Sequence, residues 1–387
     1  MVEFSEEHML IKESARQFAM ERVLPLANKL DPEKGTMPRE LIEEMAELGY
    51  FGIMIPEEYG GLGLGAYEYC IVAEELSRAW MSVGSVIARG NGLVGSLKGL
   101  TEEKKQEYLP KMARGEFLGA FSLSEPNAGS DVANISCRAV NKGDYWEITG
   151  NKYWCTFADQ ADFIMVFART GQEMDASARH RGLTAFMIEK PRGELPDGVK
   201  GSIIPKIGYH GWTTWELAFD RCRVPASMIV GEEGKAFYLA TAGLESARAH
   251  TAARAIGLAQ GALEDSISYA KERVQFDRPL ADFQAIRFKI ADMATQIEAA
   301  RSLMYAVCEK IDQGTRCDTE AAMVKLFATE MSERVTSEGL QIHGGAGYTT
   351  HFAVERYWRD ARLTKIFEGT SEIQMKIISD RLLGKAS

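Results

Sequence analysis

The 387-residue chain has no run approaching the ~18 to 20 apolar residues that span a bilayer, so no membrane insertion is expected. Its start, Met1-Val2-Glu3-Phe4-Ser5, lacks the basic and then apolar pattern of a secretory leader. Cysteine is sparse and scattered: Cys70, Cys137, Cys155, Cys222, Cys308 and Cys317 make no C-x-x-C pair and no regular framework. That pattern predicts reduced thiols in a cytoplasmic setting, without disulfides or a structural metal. Positive charge is in deficit as well. With 45 basic against 55 acidic residues and a net charge of -10, no broad phosphate-attracting surface is expected, and no nucleic acid partner. No G-K-[ST] phosphate loop occurs, and Gly60-Gly61-Leu62-Gly63-Leu64-Gly65 follows a helix and a Pro56 loop instead of a strand. A dinucleotide-binding β-α-β domain is therefore not expected. Internal repeats, low-complexity tracts and flexible linkers are missing too.

What is present divides into three stretches, predicting a multidomain α+β chain long enough for more than one core. Residues 1–117 read as helical: Ile11, Ala15 and Phe18 recur before Pro25, and Leu41, Met45 and Leu48 lie between Pro38 and Gly49. Residues 118–231 read as short strands, Tyr145–Thr149, Phe163–Ala168, Leu183–Ile188 and Glu216–Phe219, forming a β-sandwich or small barrel. Residues 232–387 read as a bundle of about four helices. Its stripes are Ile256, Ala259, Leu263, Ile267 and Ala270; Ile286 through Ile311; and Met323, Phe327, Met331 and Val335 before Gly344-Gly345.

Glu368 stands in Ile366-Phe367-Glu368-Gly369-Thr370-Ser371-Glu372-Ile373-Gln374. Gly369 has no Cβ to fend off a ligand, and Thr370 and Ser371 can hydrogen-bond one, which suits a general base. The plainer reading of Thr370, Ser371 and Glu372 is a helix start. The small, polar run Ser124-Glu125-Pro126-Asn127-Ala128-Gly129-Ser130-Asp131, just after Phe121, is either a ligand-binding loop or a simple turn. In Trp154-Cys155-Thr156 a flat ring and a hydroxyl would share one side of an extended strand, where a flat cofactor ring can lie. Arg273, with Phe276, Arg278 and Gln284, is either a solvated helix-end cluster or a pyrophosphate site. Gln341-Ile342-His343-Gly344-Gly345 is either a helix stop or a close approach to a ligand.

Together these segments resemble the acyl-CoA dehydrogenase family of flavoproteins. Glu-Pro-Asn-Ala-Gly-Ser-Asp, Trp-Cys-Thr, Glu-Arg-Val-Gln-Phe, Gln-Ile-His-Gly-Gly and Phe-Glu-Gly-Thr-Ser-Glu-Ile occur in the family's order and near its spacings across almost the whole chain. The resemblance implies a homotetramer, with one FAD per subunit, electrons leaving to an electron-transferring flavoprotein, and an acyl-CoA substrate converted to its 2-enoyl-CoA. It implies Glu368 as the catalytic base. The flavin ring would lie against Phe121, Ser124, Ser130, Trp154 and Thr156, with further FAD contacts from Thr370 and Glu372. Arg273, Phe276, Gln284, Gln341 and Gly345 would serve the FAD of a neighbouring subunit. Ser130, Glu245, Arg248 and Gly369 would lie near the acyl-CoA.

Three departures from the family pattern bear on the site: Asp277 where glycine is common, Phe367 where tyrosine is often found, and Ala247 where some relatives carry their base. Glu245 is close enough in sequence to be tested as a rival base. Arg89 matches a position near the far end of the acyl pocket, which suggests a polar or anionic tail; it is otherwise an arginine facing solvent or an acidic neighbour. Glutaryl-type relatives carry their carboxylate-binding arginine where this chain has Gly84. The substrate expected is thus a branched, cyclic or aromatic acyl-CoA, or a dicarboxylic one. Two other readings remain open: an oxygen-using oxidase or monooxygenase on the same scaffold, and a non-catalytic helical binding scaffold.

Overall fold

Apolar spacing of three and four residues builds the first region of the computed structural model. The structure describes residues 4–93, 97–171, 178–241 and 243–384; the leader reading of Met1, Val2 and Glu3 falls outside them. Helix α1 (Glu6–Phe18) starts on Ser5, whose side chain accepts a hydrogen bond from the His8 amide. Pro25 does not stop the helix. The chain passes through a π-helical turn, Ala19–Val23, into α2 (Leu24–Leu30), with Pro25 in the first turn, where its missing N–H costs little. Helix α3 (Arg39–Glu47) buries Leu41 and Met45 and is followed by Gly49 at φ 75. Helix α4 (Ala66–Ala79) is buried along its whole length, and α5 (Met81–Val86) and α6 (Glu102–Ala113) complete the region.

The middle region is a sheet of eight strands: β1 (Gly119–Ser122), β2 (Arg138–Asn141), β3 (Tyr145–Thr156), β4 (Phe163–Arg169), β5 (Leu183–Glu189), β6 (Val199–Ile203), β7 (Thr214–Pro225) and β8 (Ile229–Val230). Their order is β6-β7-β3-β2-β4-β5-β8, with β1 parallel to β4. The sheet is open, where a closed barrel was one expectation. One edge of β4 is shared: β1 takes Phe163 to Val166, and β2 meets it only at Arg138↔Arg169, so the sheet branches and β6 and β8 remain as its ends.

After α7 (Ala236–Thr241) come three long helices, α8 (Leu244–Glu272), α9 (Gln284–Asp312) and α10 (Asp318–His343), then α11 (Val354–Thr364) and α12 (Ser371–Leu383). Helix α8 is the axis, packed on α9 and α10 and also on α4. The stripe expected in α10 is displaced: Phe327 is exposed, whereas Ala321, Val324 and Ala328 are buried with Met331 and Val335. Small residues let the helices approach closely, so alanine outranks phenylalanine on that face. Between α8 and α9 a two-stranded hairpin, β9 (Val274–Gln275) and β10 (Arg278–Pro279), turns through Phe276 at φ 53 and Asp277 at φ 60. Asp277 thus sustains the left-handed turn that glycine would adopt at lower cost.

Candidate active site

Glu368 is placed by two consecutive left-handed residues at the exit of α11: Glu368 at φ 54 and Gly369 at φ 92. A Cβ on Gly369 would lie 2.5 Å from Gln374 Nε2, at a φ that side chains rarely adopt, so a substitution there is strained. The Thr370 hydroxyl then caps α12, accepting from the Ile373 amide at 3.3 Å. The helix-start reading thus holds at Thr370, two residues beyond Glu368. Lys325 Nζ, from the middle of α10, donates to the Gly369 carbonyl at 2.6 Å and ties the turn to the bundle. Burial pushes the Lys325 ammonium down to about 8, against the attraction of Glu368.

Two residues of α8 hold the carboxylate. Thr251 Oγ1 donates to Glu368 Oε2 at 2.6 Å, and Arg254 Nη2 donates to Oε1 at 2.6 Å. Arg254 is almost wholly buried, its side chain 2% exposed, while that of Glu368 is 33% exposed. The Glu368 carboxylate is thus open on one side and backed by a buried counter-ion. Arg254 also donates to Ser85 Oγ at 3.0 Å and lies over the Phe367 ring at 4.6 Å. Phe367, standing where tyrosine is common, therefore supplies a ring face to a cation. Burial weighs against the Arg254 charge, but Glu368 outweighs it and raises its pKa. Among the described residues, the Glu368 backbone N–H has no acceptor.

Around this pair the walls are largely aromatic. Tyr209 meets Phe367 and Trp212 edge-on, with centroids 6.0 and 5.2 Å away. His250 stacks on Tyr69 at 4.4 Å and pairs with the Gly84 carbonyl at 3.1 Å. Burial, then the Arg254 charge, holds His250 far below its usual range and hence neutral. Arg89 lies over Trp212 at 4.8 Å and over Phe157 at 5.8 Å. Its Nε is shut from water without an acceptor, and among the described residues no carboxylate pairs with it. Arg89 is half-buried, and among the described residues no acidic partner accounts for it. Burial pushes its pKa down, and it also feels Glu368 and Arg254.

The residues expected at a flavin ring gather on the sheet. Glu125 anchors their loop, accepting from the Ser136 and Cys137 amides at 2.7 and 2.8 Å and from Lys152 Nζ at 2.9 Å. The loop presents Ser130 to solvent, and a Cβ at Gly129 would meet nothing. Ser124 lies beside Trp154, since its carbonyl accepts from the Tyr153 amide at 2.9 Å. Trp154 and Thr156 do not sit on a regular strand. Trp154 has φ 63 at a register shift between Lys152 and Cys155, and the bulge throws its indole out, 55% exposed, while Thr156 bonds Thr214 at 3.0 Å. Phe121 lies in β1, half-buried and packed on Phe167 at 4.8 Å.

Arg273, Phe276 and Gln284 cluster around the β9–β10 hairpin, and Gln341 and Gly345 stand at the end of α10, all exposed. No hydrogen bond or ion pair among the described residues joins them to Glu368 or Trp154. Glu372 is exposed on the first turn of α12. Glu245 accepts from the Cys317 amide at 3.0 Å, at the start of α10, and Arg248 reaches the Asp318 carbonyl there at 3.5 Å. Glu245 is thus engaged away from the Glu368 pair. Sequence reading passed over Thr251, Arg254 and Lys325, yet a signal existed: each is a polar residue on a buried helical face of alanines and aliphatics.

Known proteins bear on this arrangement. Models of the acyl-CoA dehydrogenase N-terminal, middle and C-terminal domains match residues 5–116, 120–222 and 234–383. A 3-(aryl)acrylate reductase of Clostridium sporogenes (strain ATCC 15579) is 40% identical over 384 residues, 98% of this chain and 99% of that protein. A (2S)-methylsuccinyl-CoA dehydrogenase of Cereibacter sphaeroides is 41% identical over 385 residues, 98% of this chain and 70% of that protein. A solved chain from work on the electron transferring flavoprotein of Acidaminococcus fermentans superposes with a TM-score of 0.93 at 39% identity, covering 99% of both chains. With all three domain models matched, the chain belongs to the acyl-CoA dehydrogenase family of FAD-binding flavoproteins and is an oxidoreductase acting on CH–CH groups.

Proposed function

We propose that this chain removes the elements of hydrogen from the α and β carbons of an acyl-CoA, giving the 2-enoyl-CoA, with Glu368 as base. The observation that carries this reading is the Glu368 carboxylate, fixed by Thr251 and Arg254 yet open to the cleft beside its own unsatisfied backbone N–H. An α-proton next to a thioester is weakly acidic, so its removal needs a donor at the carbonyl oxygen that strengthens as enolate charge develops. The Glu368 N–H is such a donor, and one residue then both takes the proton and steadies the charge left behind. Thr251 keeps the carboxylate aimed, and the aromatic walls keep water out.

The residues suit a flavin. An exposed indole on a bulged strand offers a flat face, the Gly129 loop leaves open space, and Ser124 and Thr156 offer hydroxyls. When bound, FAD supplies the two-electron acceptor for the hydrogen leaving the β-carbon. We assign Phe121, Ser124, Ser130, Trp154 and Thr156 to its ring, with Thr370 and Glu372 nearby. Ser130, Arg248, Gly369 and Glu245 go to the acyl-CoA side, Glu245 as a positioning group. Arg273, Phe276, Gln284, Gln341 and Gly345 would complete the FAD site of a neighbouring subunit in a homotetramer. Large apolar residues exposed on the single chain around them, Phe276, Phe288 and Tyr348, support that assembly. We keep the division at 1–117, 118–231 and 232–387 as the domain reading. Six cysteines, all buried and unpaired, fit a reducing cytoplasm.

The acyl group is read as branched, cyclic, aromatic or dicarboxylic, since Trp212, Phe157 and Tyr209 wall the site with flat rings while Arg89 breaks its apolar lining. The relation to a methylsuccinyl-CoA dehydrogenase and an aryl-acrylate reductase is in keeping with such acids. An electron-transferring flavoprotein would take the electrons. Anaerobic mixing with a panel of acyl-CoAs tests the reaction: substrate should bleach the flavin band and yield the enoyl product, and a panel that leaves it unbleached would refute it. Rapid reoxidation by air without a protein acceptor would favour an oxidase.

A further inference from the structure

Arg254 has a carboxylate partner, Arg89 has none, and the two arginines lie within each other's field beside one glutamate. The other ionisable groups at hand do not balance the count. His250 is neutral, Tyr69 and Tyr209 are buried phenols whose pKa values burial raises further, and Lys325, itself cationic, is bound to the Gly369 carbonyl. An arginine cannot shed its proton to escape burial. Stacking on Trp212 and Phe157 brings no negative charge and so does not balance Arg89. The cations gathered here therefore outnumber Glu368, the one carboxylate that pairs with them.

We propose that Arg89 and Arg254 together form a carboxylate pocket for the substrate, and that the acyl group is a short, succinyl-type dicarboxylic one whose free carboxylate takes Arg254 from Glu368. The proposal rests on the dehydrogenase reading given above. Reach sets the chain length. Arg254 touches the base itself at 2.6 Å, so an anion bridging the two arginines lies close to the carbon that the base deprotonates. A carboxylate two bonds from that carbon, roughly 2.5 Å away, as in a succinyl group, suits a contact with the arginine that touches the base. Gly84 closes the alternative, because a Cβ there would collide with Ser77 Oγ. The exchange also has a chemical effect. The carboxylate released from Arg254 keeps Thr251 as its remaining hydrogen-bond donor and is free to meet the α-proton. Substrate lacking the second carboxylate would leave the base paired.

The test compares succinyl-CoA, methylsuccinyl-CoA, glutaryl-CoA and butyryl-CoA as reductants of the FAD-loaded enzyme without oxygen. Wild type should favour the succinyl types over butyryl-CoA by about 30-fold or more in the rate of bleaching. Arg89→Met should bring that ratio toward one, with the loss falling on succinyl-CoA. Arg254→Lys, which keeps a cation, should retain more of the ratio than Arg254→Met, whereas a purely structural arginine would lower all substrates alike. Bleaching by butyryl-CoA as fast as by succinyl-CoA, or an unchanged ratio in Arg89→Met, overturns the pocket while leaving the dehydrogenase reading intact. Should no acyl-CoA bleach the flavin, that reading falls, and calorimetric binding to Glu368→Gln decides the pocket: equal affinity for succinyl-CoA and butyryl-CoA overturns it.

Discussion

Two of the glutamates that pair with buried cations in this molecule differ in what is left over. Glu125 meets Lys152 in the sheet with side chains 4% and 0% exposed. Burial pushes the Glu125 carboxyl up, but Lys152 and the Ser136 and Cys137 amides outweigh it and hold it low. Lys152 also donates to the Leu123 carbonyl at 3.0 Å, so the pair is enclosed and balanced. Glu368 and Arg254 are open on one side and sit beside an unmatched arginine. A closed, balanced pair anchors a loop; an open pair with excess charge is arranged for an incoming group. Stacking Arg89 over an aromatic ring is worth ~0.5–2 kcal/mol but brings no counter-charge, so the imbalance is left for an anion to meet.

Removing each carboxylate's function separates the two roles. Glu368→Gln should retain FAD and acyl-CoA binding while flavin reduction by substrate falls by about 10³-fold or more, read by stopped-flow absorbance. Near-normal reduction would send the search for a base to Glu245. In the sheet, Lys152→Met should leave Glu125 buried and unpaired and cost ~3–5 kcal/mol in urea unfolding. The double change with Glu125→Leu should recover part of that loss. A Lys152→Met protein of full stability would show that the loop is held by the Ser136 and Cys137 amides alone.

How far the chain could be read depends on where its information lies. Local signals gave the three regions, the long helices and Glu368, because periodicity and a charged residue beside glycine are visible in one window. Strands β1, β2, β6 and β8 escaped because two to five residues carry too little alternation. Thr251 and Arg254 escaped for another reason: they meet Glu368 across more than a hundred residues, and no window holds both. Gly369 was legible as a glycine and not as a strained turn. Gly369→Ala should cost ~1–3 kcal/mol, since φ 92 and the close Gln374 amide both oppose a methyl group, and should tilt the base enough to slow reduction. A variant of unchanged stability and rate would mean that the turn relaxes freely.

A third buried cluster gathers carboxylates instead and carries the smallest expected effect. Asp31 and Asp360 are both buried near Arg359, which bonds Asp31 at 2.5 Å and Glu355 at 2.6 Å, and Arg356 and Lys206 act on Asp360 as well. Carboxylates, unlike arginine, can take up a proton. Burial first, then the Asp31 charge, pushes Asp360 up to about 7 against the pull of Arg359. Because its unfolded value is ~3.9, the folded chain binds more protons than the unfolded one between those limits. The stability from this group is therefore complete below about pH 4 and is lost as pH rises toward 7. Asp360→Asn mimics the neutral acid and keeps an oxygen for the Tyr209 amide, which Asp360 now holds at 2.6 Å in the wall of the site. The variant should match wild type near pH 4 to 5 and exceed it by ~1 kcal/mol at pH 8 in urea unfolding. A wild-type-like pH slope in the variant would place the missing charge on Asp31. The contrast with Arg89 would then rest on arginine alone, the one group here whose excess charge no proton can relieve.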